Sequence, residues 1–279
     1  MQKVTVNKVL PYSVVDGPGN RAAVFLQGCN IACAYCHNPE TQQLCNGCGA
    51  CIGVCPTGAL SLRDGKIQWD ESICAQCDTC VQTCENHASP KVLHLDAEEV
   101  FHRISRSLPF IRGITVSGGE CTLFPQFLTE LFTLCKTKGL HCLIDSNGMT
   151  DFAKLPGLLS VCDGVMLDVK AWNGAVYKRL TGGDNDVVKR NLSFLYDNGK
   201  LFEVRIVCLP GEVDAEVVLQ GIRDTLGCRS IAALPLKLIR FRRYGVRGRL
   251  QSMSAPEELV MKGYAHEAKA LGFGNVLIL

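Results

Sequence analysis

Cys29, Cys33 and Cys36 lie at C-x3-C-x2-C spacing in the segment GCNIACAYCHNPE. Three thiolates so placed can hold three irons of a cubane cluster and leave the fourth iron without a protein ligand, which is where a substrate can bind. A structural zinc site normally closes with four ligands, and His37 is the fourth donor on offer. His37 directly follows Cys36, however, and neighbouring donors rarely reach one metal together, so the open cluster is the better reading.

Two further cysteine runs follow. Cys45, Cys48, Cys51 and Cys55 have the spacing C-x2-C-x2-C-x3-C with Pro56 next; Cys74, Cys77, Cys80 and Cys84 repeat it with Glu85 where proline is usual. This is the two-cluster pattern of bacterial ferredoxins, in which the fourth cysteine of each run ligates the other cluster. One 4Fe–4S cluster is therefore expected on Cys45, Cys48, Cys51 and Cys84, and another on Cys74, Cys77, Cys80 and Cys55. Two closed four-cysteine zinc sites are the alternative, but the x3 step before each fourth cysteine is the iron–sulfur form. Such clusters can relay or store electrons.

Polar groups recur where strand patterns end. Residues 115–120 read TVSGGE: Gly118 and Gly119 let backbone approach a ligand closely, and the Glu120 carboxylate can accept hydrogen bonds from an ammonium group. Asp145 and Ser146 open DSNG after one strand, and Met166, Asp168, Val169 and Lys170 close another; strand-tip carboxylates can bind hydroxyls or a cation. Asp16, Gly17, Pro18, Gly19 and Arg21, in DGPGNR, read as a tight turn before a strand. The basic stretch 240–249 is a docking patch or a solvated face. The remaining cysteines, at 121, 135, 142, 162, 208 and 228, have no ligand spacing and read as buried small hydrophobes.

The elements that must carry these groups follow from periodicity. Residues 22–27 form a short buried strand that runs straight into the first cysteine group. Helix patterns cover 96–107, 125–138, 187–198 and 256–271; strand patterns cover 113–117, 141–145, 164–168, 202–208 and 233–240. Six or so β/α units predict a parallel sheet with helices outside, and pattern alone leaves a full barrel, a partial barrel and a doubly wound sheet open. In all of these, ligands bind at the strands' C-terminal ends, where the marked residues lie. Between Cys45 and Cys84 the chain turns to Cys, Gly and small polar residues, too poor in apolar side chains for a core without metal. Residues 44–93 are therefore read as an insert in a core made of 1–43 and 94–279.

At 279 residues and 47% hydrophobic composition the chain can bury one full α/β core and carry that insert. A net charge of +2 gives no global field for nucleic acid or a membrane surface. The N-terminal stretch lacks a basic segment followed by an apolar core, and no apolar run has membrane-spanning length, so a cytoplasmic protein is expected. Of its 17 cysteines, 11 fall in the three groups, which in a reducing compartment speaks for metal chemistry over disulfides.

The first cysteine group, with Tyr35 before the third cysteine, resembles the signature of the radical S-adenosylmethionine (SAM) superfamily. That resemblance implies a partial (β/α)6 barrel with the ferredoxin-like insert, and an open iron that chelates SAM's amino and carboxylate groups. It further implies that Tyr35, Cys36, His37, the GGE motif of Gly118, Gly119 and Glu120, and Asp168, Val169 and Lys170 contribute to SAM binding. DSNG and MLDVK resemble the DTNG and MLDLK segments of pyruvate formate-lyase activating enzyme, which implies a monovalent cation at Asp145, Ser146, Met166 and Asp168. Arg205 matches an arginine before that family's PG turn.

DGPGxR before the cysteine group resembles the signature of glycyl radical enzyme activases and implies contact with a partner enzyme. The expected activity is reductive cleavage of SAM to methionine and a 5′-deoxyadenosyl radical that takes hydrogen from a backbone glycine of that partner, with flavodoxin or ferredoxin as electron donor. The resemblance thus implies three 4Fe–4S clusters, an oxygen-sensitive monomer, and no nucleic-acid or membrane partner. One departure stands out: Arg242 occupies the place of a family histidine, and arginine cannot act as a neutral imidazole. The alternatives are a radical SAM enzyme acting on a small molecule or RNA, which DGPGxR argues against, and a ferredoxin-like electron carrier, which would leave Cys29, Cys33, Cys36, Glu120 and Asp168 without use.

Overall fold

The computed structural model describes residues 2–227, 231–246 and 248–279. They fall into two units, one of residues up to 30 with 38–140, the other of 31–37 with 141–279.

The first unit contains β1 (Val4–Ser13), β2 (Arg21–Leu26), β3 (Leu60–Arg63), β4 (Lys66–Trp69), α1 (Thr79–Thr83), β5 (Leu93–Leu95), α2 (Ala97–Ser105), β6 (Gly113–Gly118) and α3 (Pro125–Lys136). Its main strands run in the order β6-β2-β1-β5. β2 and β6 are parallel from Arg21 opposite Gly113 to Leu26 opposite Gly118, and β1 lies antiparallel to both β2 and β5. β2 and β6 are buried on both faces, as a parallel pair covered by helices requires, whereas β1 alternates buried Val4 and Val6 with partly exposed Thr5 and Asn7.

Helix α2 starts with a capping box: Asp96 accepts from the Glu99 amide and Glu99 accepts from the Asp96 amide. Helix α3 buries Phe127, Leu128, Leu131, Phe132 and Cys135, a stripe at three- and four-residue spacing.

The segment 44–93 lies in this unit and has little core of its own. β3 and β4 pair as a hairpin through Asp64 and Gly65, both in the left-handed region (φ 50° and 71°), which is the geometry of a two-residue turn that matches strand twist. Its apolar cluster is small: Cys51, Leu60 and Cys80, with Ile52, Ile67, Trp69 and Val81 against them.

The second unit contains β7 (His141–Ser146), α4 (Pro156–Val161), β8 (Gly164–Asp168), α5 (Gly174–Thr181), α6 (Asp186–Asp197), β9 (Leu201–Cys208), α7 (Ala215–Leu226), β10 (Pro235–Arg240), α8 (Glu258–Ala270) and β11 (Asn275–Ile278). All five strands are parallel, in the order β7-β8-β9-β10-β11. The sequence patterns locate β7 to β10, α6 and α8 within two residues or so; α4, α5, α7 and β11 are further elements. Cys121, Cys135, Cys142, Cys162 and Cys208 are buried as small hydrophobes, and Cys228 lies outside the described residues, as does Arg247 of the basic stretch.

Candidate active site

In the first unit β2 delivers the chain to Cys29. The turn after it is fixed by backbone: the Gly28 amide donates to Thr41 O at 2.8 Å and the Cys29 amide to Gln42 O at 2.8 Å. The Gln27 side-chain amide donates to Glu40 O and Gln43 O, both at 2.6 Å. The two glycines of the GGE motif serve this same turn. A Cβ on Gly118 would stand 2.2 Å from Leu26 O, and one on Gly119 would stand 2.1 Å from Gly28 O. No other residue lets β6 close so tightly on the cysteine-bearing turn. Glu120 follows, fully buried, its Oε1 accepting from the Thr122 amide (3.1 Å) and hydroxyl (2.6 Å).

Arg21 of the DGPGNR segment points inward and is 1% exposed. Its Nε donates to Thr115 Oγ1 at 2.8 Å and its Nη2 to Ile114 O at 2.7 Å, while Thr115 Oγ1 donates to Asp16 O. The arginine thus ties the glycine-rich loop to β6. Outside it, Tyr12, Val14, Val15 and Phe110 are exposed, and the rings of Tyr12 and Phe110 meet edge to face at 6.3 Å.

Two cavities lie in the segment 44–93. One, of about 520 Å3, is lined by Cys45, Cys48, Cys51 and Cys84 with Glu85 and Asn86. The other is lined by Cys55, Cys74, Cys77 and Cys80 with Trp69, Asp78 and Lys91. Each cavity thus gathers three cysteines of one run and the fourth of the other. Among the described residues no three His, Cys, Asp or Glu side chains converge on a point to hold a single metal ion.

In the second unit residues 31–37 carry Cys33, Cys36 and His37. The Ala32 amide donates to Thr181 O (2.9 Å) and the Ala34 amide to Leu180 O (2.8 Å), which clips this segment to the end of α5. Tyr35 is 2% exposed and packs in the core, its hydroxyl donating to Lys170 O at 3.3 Å; burial keeps that phenol neutral well above its ordinary pKa. The His37 carbonyl accepts from Arg242 Nη2 at 3.3 Å, so the arginine does lie beside the cysteine segment. The His37 imidazole is held neutral, its pKa pushed down to about 4 by burial and then by Arg242 and Lys170. Its Nε2 is buried with no hydrogen-bond partner among the described residues.

The strand ends supply the rest. Registers place Met166 opposite Asp145 and Glu203, and Arg205 opposite Asp168 and Lys237. These side chains form a chain of charges: Lys237 Nζ to Glu203 Oε2 3.1 Å, Glu203 Oε1 to Arg205 Nε 2.7 Å, Arg205 Nη1 to Asp145 Oδ1 3.1 Å, with Arg205 Nη2 2.9 Å from Met166 Sδ. Lys170 and Asp168 pair at 2.9 Å. Burial opposes the Arg205 charge, but Asp145 and Glu203, then Asp168, outweigh it and hold the guanidinium cationic; Asp168 does the same for buried Lys170. Ser146 is buried, its hydroxyl accepting from the Gly148 amide at 3.0 Å, and the Val169 amide donates to Arg205 O at 2.9 Å.

Sequence reading missed Glu203, Lys237, Thr122, Trp69 and Lys91. Glu203 stood two residues before Arg205 and so on its face of the strand, a signal that was available; Lys237 became meaningful only with the register of β10 on β9.

A family model described as the Radical SAM superfamily matches residues 23–219. The chain is 30% identical over 245 residues to the indoleacetate decarboxylase activating enzyme of Tractidigestivibacter scatoligenes, covering 79% of this chain and 78% of that one. It is 29% identical over 265 residues, 88% of this chain and 84% of the other, to a putative glycyl-radical enzyme activating enzyme of Haemophilus influenzae. Among solved structures, SuiB of Streptococcus suis bound to its precursor peptide SuiA superposes with a TM-score of 0.55 at 12% identity, over 90% of this chain and 46% of that chain; the likeness is one of fold.

Proposed function

The chain belongs to the radical SAM superfamily and, within it, to the glycyl radical enzyme activating enzymes, and from that membership we propose a role for each part of its site. The observation that carries the reading is the C-x3-C-x2-C group set at a strand end, with His37 Nε2 buried and lacking an acceptor or donor beside Arg242, Lys170 and Asp168. An orphaned polar atom among charges fits a polar ligand that the protein alone does not supply. A 4Fe–4S cluster on Cys29, Cys33 and Cys36, with SAM on its open iron, supplies the one-electron cleavage to methionine and the 5′-deoxyadenosyl radical that takes a glycine's hydrogen atom.

The protein's residues bind, orient and exclude water. In the first unit Glu120, locked by Thr122, offers a carboxylate for the amino group of SAM. In the second, the cationic Arg205 offers a partner for a carboxylate, and Asp145, Ser146, Met166 and Asp168 offer oxygen and sulfur donors for a monovalent cation. Asp168, Val169 and Lys170 form the edge for the ribose and His37 offers its free nitrogen. Tyr35 holds the cysteine segment in place from the core. Gly118 and Gly119 act on the turn that carries Cys29. Arg242 takes the histidine's place as a hydrogen-bond donor.

We assign the insert 44–93 two 4Fe–4S clusters, because each of its cavities is lined by four cysteines in the crossed pairing of a two-cluster ferredoxin. A flavodoxin or ferredoxin delivers the electron, the chain works as a cytoplasmic monomer, and the loop of Asp16, Gly17, Pro18 and Gly19, exposed at Pro18 and Gly19 and shaped from within by Arg21, meets the partner glycyl radical enzyme. No helix among the described residues is long and apolar enough to cross a membrane.

Anaerobic reconstitution tests this reading. About 12 irons per chain are expected, with 5′-deoxyadenosine formed on adding dithionite and SAM, and a doublet glycyl signal by electron paramagnetic resonance once the partner enzyme is present. Full iron without deoxyadenosine overturns the radical chemistry; deoxyadenosine without a glycyl signal on any candidate partner overturns the activase assignment.

A further inference from the structure

The two insert cavities share their ligand type and differ in the charge and hydrogen-bond donors on their walls. A cubane's potential rises with positive charge nearby and with hydrogen bonds to its sulfurs, because both stabilise the extra electron of the reduced form. The cavity of Cys55, Cys74, Cys77 and Cys80 holds two such features. Trp69 lines it, and the Trp69 indole N–H is buried with no acceptor among the described residues. A buried donor with no acceptor in the protein is the mark of a group that accepts from outside it.

Lys91 lines the same cavity, its ammonium bound to Asp78 and, at 3.2 Å, to Gln76 Oε1. The pair is unequal. The Lys91 side chain is 13% exposed and the Asp78 side chain 43%, so water screens the carboxylate more than the ammonium and the two charges do not cancel. The cavity of Cys45, Cys48, Cys51 and Cys84 is lined by no Lys, Arg or Trp among the described residues and has Glu85 on its wall instead. Solvent reaches both, through Cys45 and Cys48 in one and Cys77 in the other, so exposure does not cancel the contrast.

We propose that the two insert clusters are unequal in potential: Trp69 and Lys91 make the cluster on Cys55, Cys74, Cys77 and Cys80 the first to be reduced, and its neighbour, which has neither, is the stronger reductant. This rests on the reading that the insert holds two clusters. Each step moves one electron from an external one-electron reductant onto a cluster and makes or breaks no bond. The insert then holds its first electron on the Lys91 side, and only the second loads the more reducing cluster.

The test uses the full chain with Cys29, Cys33 and Cys36 replaced by alanine, so that only insert clusters report. About eight irons per chain and two separate one-electron steps are expected in a dithionite titration followed by electron paramagnetic resonance. Trp69→Phe and Lys91→Met should each shift the more positive step downward and leave the other in place, and Lys91→Arg should keep the wild-type value. Full iron with both steps unmoved, or moved together, by Trp69→Phe and Lys91→Met overturns the inference alone. Iron well below eight in the parent overturns the two-cluster reading, and the inference with it.

Discussion

The insert and the strand ends of the second unit hold reactive groups by opposite means. Along β7, β9 and β10, Lys237, Glu203, Arg205 and Asp145 neutralise one another in sequence within 3.1 Å contacts, on strands whose registers are fixed by apolar neighbours. That arrangement is finished by the fold. The insert has three buried residues as its apolar nucleus, two of them cysteines assigned here to clusters. Burial this small cannot by itself offset the entropy of ordering some 50 residues, which is why the two clusters proposed above would complete the segment.

The widest separation between the two regions should come from removing iron. In chelator-treated, anaerobic protein, hydrogen exchange should reveal loss of protection at β3, β4 and α1 while amides of β7, β8 and β9 stay protected; equal loss in both would break the comparison. The same apo protein should separate the cysteines by alkylation at pH 8. Burial pushes Cys162 and Cys208 up to about 12, leaving almost no thiolate, whereas exposed Cys45, Cys48 and Cys77 should react at once.

Next in size is Arg205→Met, which takes from Asp145 and Glu203 the buried guanidinium they share; we expect about 3–5 kcal/mol lost in urea unfolding, as for other broken buried pairs. Lys237→Met leaves Glu203 with Arg205 as partner, so a loss of roughly 1–3 kcal/mol is expected, and a loss as large as that of Arg205→Met would show the chain of charges to be a single unit. The smallest effect belongs to Asp96→Ala at the cap of α2, about 1 kcal/mol by the same measurement, with insert and strand ends untouched.

Much of this was legible in the sequence, for physical reasons that differ by residue. The cysteine groups were readable because cluster chemistry fixes ligand type and spacing within a few residues. Asp145 and Asp168 were marked because strand ends of an α/β fold collect ligands, and Arg205 through the family resemblance alone. The strand β1 escaped, although its Val4-Thr5-Val6-Asn7 alternation is a period-two signal, and so did the hairpin turn at Asp64-Gly65. Lys237 and Lys91 could not be found that way: each acquires a role from a neighbour far along the chain, 34 residues away for Glu203 and Lys237. The glycines of GGE were read as room for a ligand, and the structure shows that they also make room for Leu26 and Gly28.

Arg21 bears on how partner preference could be moved from one activase to another. The loop, exposed at Pro18 and Gly19, takes its outline from a guanidinium that no partner can touch, anchored on Thr115 and Ile114 nearly a hundred residues downstream. A loop transplanted by itself would arrive without its internal template. The transferable module is discontinuous: loop, arginine and receiving strand travel together, or the graft loses its shape.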